Sequence, residues 1–358
     1  MSTNLIDDAV PMLSHRETVD LISAVGDTTT VVAFAPPGQA KTSMQHDLAA
    51  RFPHLTPVHL DVPNTDIPDI GLRLPNKDTG LLDVFHTSLI PFDRPVLLVL
   101  DEVGKQLGGH MAPIFARIMN DRVVFDRPLF PGSIVWGTSN GLGEGCGDII
   151  KPHIASRMMR VNKATVTAGE FQAWGVDNDI DPALLSWTQM EPQIFGDYRD
   201  PSQSDNAFIF HPKHRPMGYA CPRAVAKCNP LVRNRHMVSD NALRAGLAGM
   251  MGDVAARSLV HHLNLGASLP RPADIFANPM SVPVVDNPAG QLHTVFNLVH
   301  AVVTQDNLAA AAYYVQRAGR RELEAVLRKL ATETKRLAPL ARGNKALTDW
   351  ALNNMALI

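Results

Sequence analysis

Short apolar, mostly β-branched runs alternate with amphipathic stretches through the first half of the chain. Residues 30–34 form such a run, which stops at Ala35-Pro36-Pro37-Gly38 and gives way to a helix-like stretch over 41–51. A second run, 58–62, ends in a Pro/Asp/Gly-rich stretch over 63–80. Residues 96–100 are apolar without alternation, the pattern of a strand covered on both faces, and they end in Asp101-Glu102. A fourth run, 133–138, ends at Ser139-Asn140-Gly141. Buried strands separated by helical segments predict an α/β domain, a parallel sheet flanked by helices on both faces.

From about residue 165 the strand-like runs fade. Helical patterns cover 183–190, 222–228 and 241–263, then 291–304, 307–318 and 321–337 beyond a proline-punctuated link at 270–288. The predicted layout is an α/β domain over 1–165, a small helical lid over 166–238 and a further helical region over 239–358.

Composition narrows the classes. Hydrophobic residues are 45% of the 358, which excludes a wholly disordered chain. With 33 Lys+Arg against 35 Asp+Glu, the formal charge of -2 argues against nucleic-acid binding through overall basicity. No apolar run approaches the roughly 18 residues of a membrane span, and the first 13 residues carry two Asp and no Lys or Arg. Three cysteines, Cys146, Cys221 and Cys228, are too sparse for a disulfide framework. A soluble, cytoplasmic protein with no membrane partner is expected.

The chemistry concentrates at two strand ends. Ala35-Pro36-Pro37-Gly38-Gln39-Ala40-Lys41-Thr42 lies between a strand and a helix and resembles the phosphate-binding loop G-x-x-x-x-G-K-[ST], with Ala at both flanking glycine positions. Such a loop aims backbone N–H groups at phosphate oxygens, a lysine at the β and γ phosphates and a hydroxyl at Mg²⁺. Pro37, Gly38, Gln39, Ala40, Lys41, Thr42 and Ser43 are therefore the expected nucleotide contacts, with ATP and Mg²⁺ as cofactors. Ala40 in place of glycine is tolerable only if its φ stays negative. Asp101 and Glu102 end an apolar strand at the edge where open α/β sheets bind ligands. Asp101, with Thr42, is the expected Mg²⁺ holder, and Glu102 the residue that polarises the attacking water.

On these motifs the chain resembles the AAA+ ATPases of the MoxR type, in the clade that also holds dynein-related and MCM ATPases. The stretch from Asn64 to Pro75 is similar to the Asp-hydrophobic-x-Gly-x-Pro stretch of that clade, and residues 80–91 would belong to its helix-2 insert, which projects toward the ring pore. Ile134-Val135-Trp136-Gly137-Thr138-Ser139-Asn140 resembles the sensor-1 strand, which implies that Asn140 orients water or contacts the γ phosphate. Ile154-Ala155-Ser156-Arg157-Met158 is similar to the family's Asp-Arg-Phe, implying Arg157 as the finger reaching a neighbouring subunit, with Arg160 as a rival because Ser156 and Met158 depart from the pattern. Ala220-Cys221-Pro222-Arg223-Ala224 resembles Ser-Pro-Arg-Ala, implying Arg223 as sensor 2; residues 170–174 and 313–327 are similar to stretches of phage and bacterial members. The resemblance is strong over about 25–235.

What the resemblance implies is an ATP-hydrolysing ring motor, a homo-hexamer that remodels or assembles a protein substrate in a chaperone-like way, often with a separately encoded von Willebrand A-type partner. A DNA-engaged motor and a nucleotide-binding scaffold with weak hydrolysis remain the alternatives. The series His211, His214, Cys221, Cys228 lacks the close Cys spacing of structural zinc sites and reads as lid or loop side chains. His261-His262 reads as packing or surface. The basic cluster Arg317, Arg320, Arg321, Arg328, Lys329, Lys335 and Arg336, interleaved with Glu322, Glu324 and Glu333, reads as a solvated helix face.

Overall fold

The computed structural model describes residues 11–106, 109–141, 155–212, 218–265 and 269–353. The chain divides into two compact units, Met1–Val166 and Thr167–Ile358.

The first unit is built on six parallel strands: β1 (Met12–Leu13), β2 (Val31–Phe34), β3 (Thr56–Asp61), β6 (Val96–Asp101), β9 (Ile134–Ser139) and β10 (Met159–Lys163), in the order β1-β10-β2-β9-β6-β3. Alternate side chains of each central strand serve opposite faces. Val31 and Ala33 of β2, with Leu97 and Val99 of β6, join a core that contains Val19 and Ile22 of α1 (His15–Val25) and Met44 and Leu48 of α2 (Met44–Arg51). Val32 and Phe34, with Val96, Leu98 and Leu100, join the other, which contains Phe115 and Met119 of the helix Ala112–Asp121. The unbroken apolar run of β6 follows from this double coverage.

Two strands escape the pattern. β1 has only two residues, and β10 reads Met-Arg-Val-Asn-Lys, yet Asn162 and Lys163 are both buried. The Pro/Asp/Gly-rich stretch holds one helical turn, α3 (Ile67–Ile70), and an antiparallel hairpin of β4 (Gly71–Pro75) with β5 (Leu82–His86). Leu72, Leu74 and Phe85 share one face of that hairpin and are exposed, as are Leu81, Leu82 and Leu89 around it. A smaller antiparallel pair, β7 (Val123–Val124) with β8 (Arg127–Pro128), follows the helix Ala112–Asp121. Gly71 has no room for a side chain, since a Cβ there would lie 2.9 Å from the Phe125 ring.

The second unit is helical. Its core includes the helix Pro288–Ala301, with Leu292, His293, Thr294, Val295, Phe296, Leu298 and Val299 all buried. The single helical pattern over 241–263 is two helices, Asp240–Met251 and Asp253–Leu265, because Gly252 between them has φ of 83° and ends the first. Two arginines of the basic cluster act on the backbone. Arg336 donates to the carbonyls of Val299 and Val302 at the end of helix Pro288–Ala301, and Arg317 to those of Pro279 and Val282. A parallel sheet flanked by helices and followed by a helical region is the fold class the sequence predicts.

Candidate active site

The loop after β2 and the ends of β6 and β9 lie at one edge of the sheet, because the three strands are adjacent and parallel. The loop does not run straight into a helix. Residues 41–43 form a tight turn, with Met44, Gln45 and His46 N–H groups donating to the carbonyls of Lys41, Thr42 and Ser43, and regular helix begins only at Met44.

Lys41 is buried, and its Nζ donates to the carbonyls of Ala35 at 2.6 Å and Pro36 at 3.0 Å and to Oδ1 of Asn140 at 2.6 Å. The Thr42 hydroxyl donates toward Asp101 at 3.3 and 3.4 Å from the two carboxylate oxygens. Thr138 is wedged between the acids. Its hydroxyl donates to Asp101 and accepts the N–H of Glu102. His59 of β3 stands 3.5 Å from the Asp101 carboxylate, and Lys105 is ion-paired with Glu102.

Two residues of the site sit in left-handed backbone that favours glycine. Gly38 has φ of 80°, but Ala40 has 55° and Glu102 has 54°. The expectation that Ala40 keeps φ negative is therefore wrong. The loop's path needs the left-handed turn that a glycine supplies in the usual motif, and here alanine bears its cost of about 1–2 kcal/mol. At Glu102 the same conformation turns the chain sharply off β6. Gly104 then passes so close to Ser139 that a Cβ would fall 2.0 Å from its Oγ. Non-glycine residues held at positive φ cluster at functional sites, where the surroundings over-determine them.

Lys41 is thus brought onto Asn140 and Thr42 onto Asp101, with Glu102 adjoining. Arg157 is not among them. It is exposed and precedes β10, whose Met159 pairs with Val31, the first residue of β2, so it stands at the opposite edge of the sheet. Arg160 stacks its guanidinium 4.5 Å from the centroid of the Phe34 ring. Ile154, ahead of Arg157, lies outside the described residues, as do Cys146 and His214. Arg223 is exposed on the first turn of helix Pro222–Arg233 in the second unit, and Cys221 and Cys228 there are buried free thiols whose pKa burial pushes up. Thr138, His59, Lys105 and Lys163 are site neighbours to which sequence reasoning gives no role. Position marks Thr138, since the register that sets Leu100 beside Gly137 puts the next residue beside Asp101.

No family model matches the chain, and no curated protein matches it. Among solved structures it is similar to an inferred ATPase from Cytophaga hutchinsonii, with 12% identity and a TM-score of 0.29 over 94% of this chain and 87% of that one. It is also similar to RuvB, the Holliday junction branch migration motor of Thermotoga maritima, with 14% identity and a TM-score of 0.36 over 88% and 91%. For a single-residue variant of that RuvB the identity is 15% and the TM-score 0.37 over the same shares. Likeness at this level adds nothing to what the strand order and the loop state by themselves. No helix among the described residues is long and apolar enough to cross a membrane.

Proposed function

We propose that the chain is an ATP-hydrolysing AAA+ motor of MoxR type, which works as a homo-hexameric ring and remodels a protein partner. One observation carries the ATPase reading. A buried lysine on a strand–loop–turn bridges to the asparagine ending the neighbouring strand, while the next hydroxyl faces the carboxylate ending the strand beyond. Cation, hydroxyl, acid and amide at one sheet edge are the groups phosphoryl transfer needs.

Each residue has a role that follows from its chemistry. Lys41 exchanges loop carbonyls for phosphate oxygens, which compete well for an ammonium because they are charged. Thr42 and Asp101 offer two hard oxygen donors in mutual reach, a fit for Mg²⁺, which when bound neutralises phosphate charge. Glu102 polarises the attacking water and Asn140 orients it. Arg157 stands a strand's length from the loop, farther than its side chain reaches, so the nucleotide it serves is another copy's. That placement supports the ring and favours Arg157 over Arg160, whose guanidinium lies on Phe34. Arg223 is the proposed sensor of the second unit.

A protein rather than a nucleic-acid partner is favoured by the balanced charge and by the exposed apolar face of hairpin β4–β5, which suits an unfolded polypeptide better than a phosphate backbone. A separately encoded von Willebrand A-type protein is the partner class proposed. Calorimetric titration with MgATP tests the core of the reading. Wild type binds and Lys41→Ala binds at least about 100-fold more weakly, the loss expected on removing a buried charge-assisted contact. Equal binding refutes the site. Added DNA should leave turnover unchanged; stimulation that disappears on neutralising Arg320 and Arg321 would transfer the motor to nucleic acid.

A further inference from the structure

A second buried lysine lies beside the phosphate loop, and the roles assigned above do not use it. Lys163, the last residue of β10, has no exposed surface. Its Nζ donates to the carbonyl of Gln39 at 3.1 Å and to that of Ala164 at 3.2 Å. Gln39 is buried as well, and its side-chain Oε1 accepts the N–H of Val166 at 3.0 Å. The loop is therefore tied twice to residues 163–166, once through the Gln39 main chain and once through its side chain. Removing an ammonium from water is costly, and an apolar side chain of similar volume would fill the same space without that cost.

One of these bonds holds a peptide plane of the loop. In a trans peptide the C=O and the following N–H point in opposite directions. With the Gln39 carbonyl drawn to Lys163, the Ala40 N–H must point away from β10, toward the hollow of the loop. Ala40 at the far end of that plane and Gly38, the residue before Gln39, are both at positive φ. Alternating backbone of this kind turns successive N–H groups to one side and makes an anion-binding nest. Alanine takes up the left-handed conformation at a cost of about 1–2 kcal/mol, which a bond that orders the adjoining peptide helps to offset.

We infer that Lys163 is a positioning residue for the phosphate loop: its bond to the Gln39 carbonyl fixes the Gln39–Ala40 peptide with the N–H toward phosphate, and the Gln39–Val166 bond anchors the same residue where the first unit ends. The role assigned to the N–H rests on the ATP reading; the fixing of the loop does not.

The test uses the full chain carrying Lys163→Met, which keeps the length and most of the volume of the side chain and removes the ammonium. Two readings are taken: hydrogen exchange of peptides spanning 36–44 without nucleotide, and the Kd for the fluorescent analogue mant-ATP with Mg²⁺. Exchange over 36–44 should quicken at least tenfold while peptides from β6 and β9 stay as in wild type, and the Kd should rise at least tenfold. Wild-type exchange and wild-type Kd together overturn the inference, and so does an equal acceleration in β6 and β9, which would make Lys163 a fold residue only. Should Lys163→Met fail to fold, Lys163→Gln, which retains a donor on a shorter chain, decides by the same exchange comparison. If wild type binds no mant-ATP, the ATP reading fails, and the exchange result still decides whether Lys163 fixes the loop.

Discussion

At the sheet edge of the first unit two lysines, Lys41 and Lys163, lie buried with their ammonium groups on backbone carbonyls. In the helical core of the second unit two imidazoles, His262 and His293, lie buried and stacked 5.3 Å apart, with Nδ1 atoms that no hydrogen bond satisfies. Nε2 of His262 shares a 2.6 Å hydrogen bond with Ser186. Burial is the main force on both rings, and it pushes each pKa down to about 4, helped at His262 by His293 and at His293 by Arg235. In the first region backbone carbonyls, with the Asn140 amide at Lys41, receive the ammonium groups, and left-handed Ala40 and Glu102 add strain. The second region sheds its charge. Changes at the sheet edge should therefore alter chemistry with little effect on the helical unit, and changes in the helical core should do the reverse.

The sharpest challenge to that division is at Arg157. A guanidinium supplied in trans is worth about 10³ to 10⁵ in rate. Arg157→Ala should keep ATP binding near wild type and lower turnover by at least about 10³. Mixing it with Lys41→Ala subunits should recover part of the activity, since some interfaces then pair an intact loop with an intact finger. A competent monomer, or a defect that follows Arg160→Ala instead, would break the shared-site half of the account.

Acid probes the other region. The unfolded chain's histidines protonate near 6.5 and the buried pair only near 4, so between these values the unfolded state binds more protons. Stability of the helical unit is full above pH 6.5 and is lost as pH falls toward 4, by about 3 kcal/mol per histidine. Denaturant titrations at pH 7 and pH 4.5 measure this, and His293→Leu should flatten the slope. A flat profile in wild type would mean that the pair is solvated.

The smallest effect is at Ala40. Glycine removes the left-handed penalty of about 1–2 kcal/mol and adds about 0.5–1 kcal/mol of backbone entropy cost. Ala40→Gly should be as stable or more stable, by up to about 1.5 kcal/mol, with ATP binding retained. Lost binding would show that the methyl group holds the loop in shape.

What was legible in the residues divides along the same line. β2, β6 and β9 announce themselves because strands covered on both faces are largely apolar, and their parallel register places Asp101 and Asn140 at one edge; β3, at the sheet's edge with alternating burial, shows only through Val58, Leu60 and Val62. β10 stays hidden because its burial includes Asn162 and Lys163, polar residues that no hydropathy pattern marks as interior. The positive φ of Ala40 and Glu102 is set by the surrounding fold, not by the residue type, so the rule that alanine avoids it misled. Gly104 and Gly252 are the reverse case, glycines whose reasons, contact with Ser139 and the end of a helix, become plain only in three dimensions.

The central claim is that ATP bound at Lys41 is hydrolysed by water that Glu102 polarises. Phosphate release from Glu102→Gln, measured beside ATP binding by the same protein, tests it most directly. The account predicts ATP affinity within a few-fold of wild type and turnover lower by about 10² or more, the worth of a positioned base. Wild-type turnover in Glu102→Gln would contradict it.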